Sequence, residues 1–374
     1  MERIRTEKRP DWKEKAESAG FLYHTFDGET YWDESAYYSF TSEEIDHIEE
    51  VTEEVHDMCI RAAEHIIRKN LFSKLCIPEK YVPYIIKSWE NNDPSLYGRF
   101  DFSYNGSDAP KMLEYNADTP TSVLEASVVQ WFWLKDKFPE KDQFNSIHEK
   151  LQEFWKESGF RGTVHFACAD ESAEDLGNLE YLRDTAIQSG FETKQIFIEE
   201  VGWNSKLKRF VDGDDIPIYN IFKLYPWEWM FEEEFGEYLP VCGWNIIEPP
   251  WKSLISTKAI LPVLWDLYEG HQNLLPCYFD NKFTDNFVKK PLYSREGNSI
   301  SIFKDGKVTE NPGSYGKEGF VYQKYCPLPE FEGNFPALGS WVVNGKPAGI
   351  GIREDNTEIT SNNGRFLPHL FEEE

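Results

Sequence analysis

"GRFDFSYNGSDAPKMLEYNADTPTS", residues 98–122, decides the fold. Two runs in it, RFDFSY and KMLEYN, read as strands joined by the turn-rich NGSDAP. Antiparallel pairing with Asp101 opposite Glu114 puts Arg99 opposite Asn116, because opposed residues share a face and side chains alternate with period two. All four polar groups then lie on one face, and Phe100, Phe102, Leu113 and Tyr115 lie on the other. A slip of one residue would ruin the arrangement. Two carboxylates face to face repel unless something cationic sits between them. Asp101, Glu114 and the Asn116 amide offer three hard oxygens with no His or Cys near, which is magnesium or manganese chemistry rather than zinc. Arg99 beside them would set a fixed guanidinium against phosphate or a developing oxyanion. A lone R-x-D is more simply an ion pair on a solvent-facing hairpin. The matching parity of "EYNAD" on the partner strand favours the cation site.

Two other stretches carry charge toward the same chemistry. In "FVKKPLYSREGNSISIF" (287–303) a β-like run delivers Lys289 and Lys290 to a loop holding Arg295, Glu296 and Gly297. A lysine at a strand end beside a Gly loop can meet phosphate as a point charge, with loop amides as further donors. The spacing is not that of a Walker loop. In "STKAILPVLWDL" (256–267) Lys258 stands near the start of a helix.

Around these pieces the chain reads as mixed α and β. Residues 41–72 carry Ile45, Ile48, Val55, Met58, Cys59, Ala62, Ile66 and Ile67 at helical spacing, with a Thr41/Glu44 capping box. His47, His56 and His65 scatter around that helix and read as solvated. "SVLEASVVQWFWLKDKF" (122–138) reads as a further helix. Strand "RGTVHFACADES", helix "EDLGNLEYLRDTAIQSG" closed by Gly190, then strands "FETKQIFIEEV" and "IPIYNIFKLY" predict a small parallel α/β unit over 160–225. Its loops at strand ends are the usual ligand positions. Beyond residue 280, Asp305-Gly306 and Asn344-Gly345 mark two hairpins. The expected division is 1–157, 158–250 and 251–374. The first part is a helical region plus the acidic hairpin, belonging to a discontinuous core; the second is the small α/β substrate-side domain; the third is the nucleotide-binding region.

The 374 residues suffice for two or three domains, and no run of about 18 apolar residues predicts a membrane span. The first residues have charges but no apolar h-region, so the cytoplasm is the simplest address. Six cysteines lie far apart with no C-x-x-C, which reads as reduced and mostly buried thiols. A net charge of −27 argues against nucleic acid and anionic lipid as partners and would attract a cationic substrate, although acidity alone also serves solubility. The aromatic clusters "QWFWLKDKF" and "YPWEWMF" could stack sugars, but at this density they more often pack a core.

The blocks "RPDWKEKAESAGF", "YWDESAYYSFT", "PSLYGRFDF", "LEYNADTPTS", "EPPWKSLISTKAILPVLW", "VKKPLYSREGNSI" and "GIGIREDNTEIT", in that order, resemble the glutathionylspermidine synthase family in its stand-alone synthetase form. The resemblance covers nearly the whole chain. It implies an α+β, glutathione synthetase-like ATP-grasp fold with an inserted small α/β pre-ATP-grasp-like domain. It implies a ligase that phosphorylates a carboxylate with ATP and passes the acyl group to an amine. Family members often carry a cysteine-amidase domain in front, and without it the reverse hydrolysis is not expected. By the same resemblance Arg99, with Phe100 and Asp101, would contact phosphate and the transition state, and Asp101, Glu114 and Asn116 would hold Mg²⁺. Lys258 and Lys290 would hold ATP phosphates beneath a loop with Glu296 and Gly297. Gln323, Lys324 and Tyr325 would line the adenine, Glu358, Ile359 and Thr360 would add nucleotide contacts, and Arg353 would sit over the transferred group. On the substrate side, Thr119 and Thr121 stand where the family uses serines for glutathione, and Glu174 and Asp175 where it uses paired glutamates. Lys223 and Trp227 belong to another substrate-side block. The small-molecule partners implied are a peptide acid such as glutathione and an amine such as spermidine. The alternative is a nucleotide-binding regulator of the same fold without catalysis, against which the full set Arg99, Glu114, Asn116, Lys290 and Glu296 argues.

Overall fold

The Tyr97–Ser103 and Lys111–Asn116 strands pair antiparallel with Arg99 opposite Asn116 and Asp101 opposite Glu114, as the parity requires. The register shifts beyond Asp101, where a β-bulge sets Phe102 against Met112 instead of Leu113. The expectation that Leu113 shares the apolar face is therefore corrected. The extra residue of the bulge turns Met112 into the core and leaves Leu113 on the polar side beside Glu114. Phe100 and Tyr115 stack at 3.8 Å between centroids on the buried face.

This hairpin is the edge of a five-stranded antiparallel sheet. Its order is Arg365–Leu367, Lys346–Asp355, Phe335–Val343, Tyr97–Ser103, Lys111–Asn116. The Asn344-Gly345 turn joins its two longest strands, with φ of 50° and 74° that suit a tight hairpin. Gly339 lies directly opposite Asp101 and Gly351, and a Cβ there would come within 3.0 Å of the Arg99 side chain. The glycine lets the guanidinium stem lie flat across the sheet.

The 28-residue helix Ser42–Lys69 packs against this sheet and against the helix Ile260–Leu267. It starts with the predicted capping box: the Glu44 amide donates to the Thr41 hydroxyl at 3.2 Å, and the Thr41 amide donates to the Glu44 carboxylate at 2.9 Å. Replacing Thr41 by alanine should cost about 1 kcal/mol, read as a lower urea midpoint at unchanged slope. His56 departs from expectation. It is buried, its Nδ1 lies 3.2 Å from the Tyr115 hydroxyl, and burial plus the Lys252 charge hold its pKa down at about 3. Its helix face turns under the hairpin, so it stays neutral.

A second five-stranded antiparallel sheet runs Cys277–Tyr278, Phe320–Lys324, Phe287–Pro291, Ser301–Lys304, Lys307–Glu310. The predicted α/β unit is a four-stranded parallel sheet, ordered Asn245–Ile247, Asn220–Leu224, Val164–Cys168, Thr193–Phe197. Its helix Ala173–Gln188 is capped by the Ser172 hydroxyl, which accepts from the Asp175 amide at 3.1 Å. The helix expected over 122–138 begins instead with a π-helical turn, Glu125–Val129, before α-helix Gln130–Lys137. Trp133 and Trp227 are core residues, as the packing reading expects, while Trp229 is 40 % exposed. Cys59, Cys168, Cys242 and Cys277 are buried and unbridged, and Cys76 is exposed. The structure is a computed structural model that describes every residue except 27, 171, 362, 363, 373 and 374, so Glu171 of the predicted polar loop lies outside the described residues. Among the described residues no helix is long and apolar enough to cross a membrane.

Candidate active site

These three sheets, of six among the described residues, converge on one cavity of about 440 Å³. The first sheet contributes Arg99, Asp101, Glu114, Asn116 and Arg353; the second contributes Lys290, Gln323 and Lys324. Segments that follow the carboxyl ends of the parallel strands contribute Tyr225 and, from the first turn of helix Ala173–Gln188, Glu174 and Asp175. That is the end at which such sheets bind ligands.

The polar face of the hairpin is fully engaged. Arg99 donates from Nε to Asp101 Oδ1 at 2.8 Å, from Nη2 to Oδ2 at 3.3 Å, and from Nη1 to the Thr121 carbonyl at 2.7 Å. The Asn116 amide bridges the opposed acids, donating to Asp101 at 3.2 Å and to Glu114 at 3.4 Å. Lys258 Nζ lies 3.1 Å from Glu114, and Lys290 donates to the Leu113 carbonyl at 2.9 Å. Burial pushes the Glu114 carboxyl up, but Lys258 and Lys290 outweigh it and hold the pKa at about 2. Burial raises Asp101, and the facing Glu114 charge adds to that shift against the pull of Arg99. Burial likewise lowers Lys290 against the opposing pull of Glu114. The two opposed acids are thus shifted in opposite directions, Asp101 upward mainly by burial and Glu114 downward by the two lysines.

The donor set suits a hard divalent cation. Both carboxylates and the Asn116 amide meet at one point, and a flip of that amide would present its oxygen in place of its nitrogen. Among the described residues no cluster of three or more His, Cys, Asp or Glu could hold a metal. Two carboxylates and an amide leave room for phosphate and water ligands, which fits Mg²⁺ rather than an all-protein cage.

Lys258, Glu296, Gly297, Tyr325, Glu358, Ile359 and Thr360 also line the cavity. Gly297 has φ of 67°, and a Cβ there would stand 2.8 Å from both the Ile359 side chain and the Thr360 carbonyl. Glycine is what lets the 294–298 loop meet the 358–360 segment. Lys304 Nζ donates to Tyr325 at 3.0 Å and to Glu358 at 2.9 Å, and the Tyr325 hydroxyl donates to Glu358 at 2.6 Å. Thr119, Thr121, Glu174 and Asp175 line the cavity as well. Burial and then the Glu174 charge raise Asp175 to about 6.

Three expected residues do not present side chains to the cavity. Phe100 lies on the buried face of its strand. Lys223 is fully buried, with Nζ 2.5 Å from Asp118, and Trp227 donates from its indole to the Glu248 carbonyl at 3.1 Å. In "KLYPWEW" the helix Trp227–Met230 turns Trp227 inward and Trp229 toward the cavity, so the lining tryptophan is two residues on. Arg295, which the sequence places with Glu296 and Gly297 in the loop after Lys290, has no role assigned by the resemblance. It donates to the Thr119 hydroxyl at 2.7 Å and to Glu228 at 3.3 Å, with its guanidinium 5.4 Å from the Trp229 ring. Trp341, Tyr225 and Tyr315 also line the cavity, and nothing in their local sequence separates them from core aromatics.

A solved structure of a glutathione synthetase-like effector from Globodera pallida aligns over 98 % of both chains with a TM-score of 0.55 at 10 % identity, which places this chain among glutathione synthetase-like folds. The chain belongs to the glutathionylspermidine synthase preATP-grasp family, whose model matches residues 3–372. It is 42 % identical to a Haemophilus influenzae protein named provisionally as an acid–amine ligase, covering 97 % of each. It is 28 % identical to trypanothione synthetase of Crithidia fasciculata over 84 % of this chain and 53 % of the relative. It is 24 % identical to the bifunctional glutathionylspermidine synthetase/amidase of Escherichia coli over 89 % of this chain. The chain thus spans nearly all of the Haemophilus protein but only 53 % and 58 % of the two named synthetases.

Proposed function

We propose that the protein is an ATP- and Mg²⁺-dependent acid–amine ligase of ATP-grasp fold that works through an acyl phosphate. The observation that carries this reading is the facing pair Asp101 and Glu114, flanked by Arg99, Lys258 and Lys290 on one cavity wall. Asp101, Glu114 and Asn116 would hold Mg²⁺, which when bound neutralises phosphate charge. Lys258 and Lys290 would hold the ATP phosphates, with the Glu296–Gly297 loop over them. The strand with Gln323, Lys324 and Tyr325 would line the adenine, and Glu358, Ile359 and Thr360 would complete the nucleotide wall. A carboxylate oxygen attacks the γ-phosphorus and ADP departs; the amine nitrogen then attacks the acyl carbon and phosphate departs. Arg99 and Arg353 stabilise charge on the transferring group, as guanidinium groups do in phosphoryl transfer.

The substrates would lie near Thr119, Thr121, Glu174 and Asp175. The relatives' names point to a peptide acid such as glutathione and an amine such as spermidine, and the acidic wall at Glu174 and Asp175 suits a cationic amine. The test is an ADP-release screen with Mg·ATP against panels of peptides and polyamines, with mass analysis of products. Amide formed in step with ADP is expected. ATP binding with no product for any pair would instead indicate a non-catalytic nucleotide-binding protein.

A further inference from the structure

Behind the cavity wall lies a carboxyl that the reaction above leaves unused. Glu125, first residue of the π-helical turn, is fully buried. The Tyr31 hydroxyl donates to its Oε1 at 2.8 Å, and the Tyr23 hydroxyl donates to its Oε2 at 3.3 Å. The Tyr31 oxygen is also 3.2 Å from Ser122 Oγ, and Ser122 lines the cavity. Hydroxyl contacts therefore run unbroken from the cavity wall to the buried carboxyl. Asn178 braces the cluster, donating to the Tyr23 oxygen at 2.9 Å and accepting from the Val123 amide at 2.9 Å. Ser122 itself sits at φ of 71°, an unfavourable region for a residue with a Cβ.

Burial, and after it the charge of Glu174, raise Glu125 from 4.5 to about 8, against the pull of the two tyrosine donors. The groups facing it are Glu174 from the helix Ala173–Gln188, Tyr23 and Tyr31 from the N-terminal segment, and Arg353, whose charge reaches Tyr31. A carboxyl with this environment exchanges its proton near neutral pH, the range that suits a general base.

We propose that Glu125 accepts the proton of the incoming amine through Ser122 and Tyr31, a step that rests on the ligase reading. An alkylamine, with a pKa close to that of lysine at about 10.4, arrives as an ammonium with no free electron pair. Its proton passes to Ser122 Oγ, the serine proton to the Tyr31 oxygen, and the tyrosine proton to Glu125 Oε1. The nitrogen keeps the electron pair and forms the bond to the acyl carbon, the phosphate leaves with the C–O pair, and the second proton on the nitrogen goes to that departing phosphate, which ends as hydrogen phosphate. Serine and tyrosine end as they began, and Glu125 returns its proton to solvent before the next turnover, which accounts for the proton that amide formation from an ammonium releases.

The test compares two nucleophiles on the full chain with Mg·ATP and the panel of peptide acids: spermidine, which must be deprotonated, and hydroxylamine, already a free base at neutral pH. In Glu125→Gln the ratio of amide to hydroxamate should fall about a hundredfold or more. The rise of wild-type kcat for spermidine through pH 8 should vanish with it. Glu125→Asp should restore part of the ratio, and Ser122→Ala, which leaves the buried carboxyl in place, should lower it as well. A stability measurement needs no turnover. The unfolded carboxyl loses its proton before the folded one, so the stability it contributes is full below about 4.5 and is lost as pH rises toward about 8. The Tm of Glu125→Gln should therefore gain on that of the wild type across this window. Unchanged product ratios in Glu125→Gln and Ser122→Ala, equal loss of both products, or a Tm difference that does not move with pH would each overturn the relay alone. A wild type that releases no ADP with any acid and either nucleophile would overturn the ligase reading and the relay together.

Discussion

Replacing Glu114 by alanine is expected to lower Mg·ATP-dependent ADP formation by on the order of 10³-fold or more, the scale on which charged groups act in phosphoryl transfer. Asp101→Ala should do the same. Glu114 is the carboxylate held near pKa 2 between Lys258 and Lys290, so it is ionised at any working pH. Without it both lysines lose the carboxylate that acts on them, and a divalent cation has lost one of two carboxylates. The fold should persist, because the buried face of the hairpin, with Phe100, Phe102 and Tyr115, is untouched. Circular dichroism and the urea midpoint check that point alongside the ADP assay. Wild-type rates in either variant would count against the metal assignment.

The largest effect on stability is expected from Lys223→Met, about 3–5 kcal/mol, because it leaves Asp118 as a buried charge without its partner. Both members are nearly inaccessible, and Asp118 Oδ2 also accepts from the Trp227 amide at 2.9 Å. A second buried pair lies beside it. Lys252 is 3.5 Å from Glu248, whose carboxylate accepts from the Leu96 and Tyr97 amides at 3.0 and 2.9 Å. These contacts pin the parallel sheet and the 248–252 turn to the strand that carries Arg99. The double variant Lys223→Met/Asp118→Leu should recover much of the loss, since removing both charges spares the unpaired one. Urea unfolding of both variants reads the difference. A single variant within about 0.5 kcal/mol of wild type, the range of ordinary surface changes, would show that the pair contributes little.

What was legible in the chain follows from periodicity. Parity alone predicted the face shared by Arg99, Asp101, Glu114 and Asn116, because each sits an even number of positions from its strand neighbour. The capping box and the two Asp-Gly and Asn-Gly turns were equally readable, since their chemistry is local. The bulge that exchanges Leu113 for Met112 has no local signature, as both residues are apolar and either could face the core. Lys223 was misplaced for a related reason. Its substrate-side placement came from the family resemblance, and its burial shows only once its partner is known, Asp118 lying 105 residues away. Trp227 and Trp229 are separable only once the start of their short helix is fixed. Glu125 was invisible, because a glutamate in a helical run reads as solvated unless the tyrosines of a distant segment are seen closing over it.

The most direct measurement is anomalous scattering from crystals grown with Mn²⁺ and a non-hydrolysable ATP analogue. The expected result is a manganese peak between Asp101, Glu114 and Asn116, with the analogue's phosphates reaching it from the side of Lys258 and Lys290. A triphosphate bound elsewhere, with those three side chains still closed on Arg99 and Lys258 and no cation among them, would contradict the account.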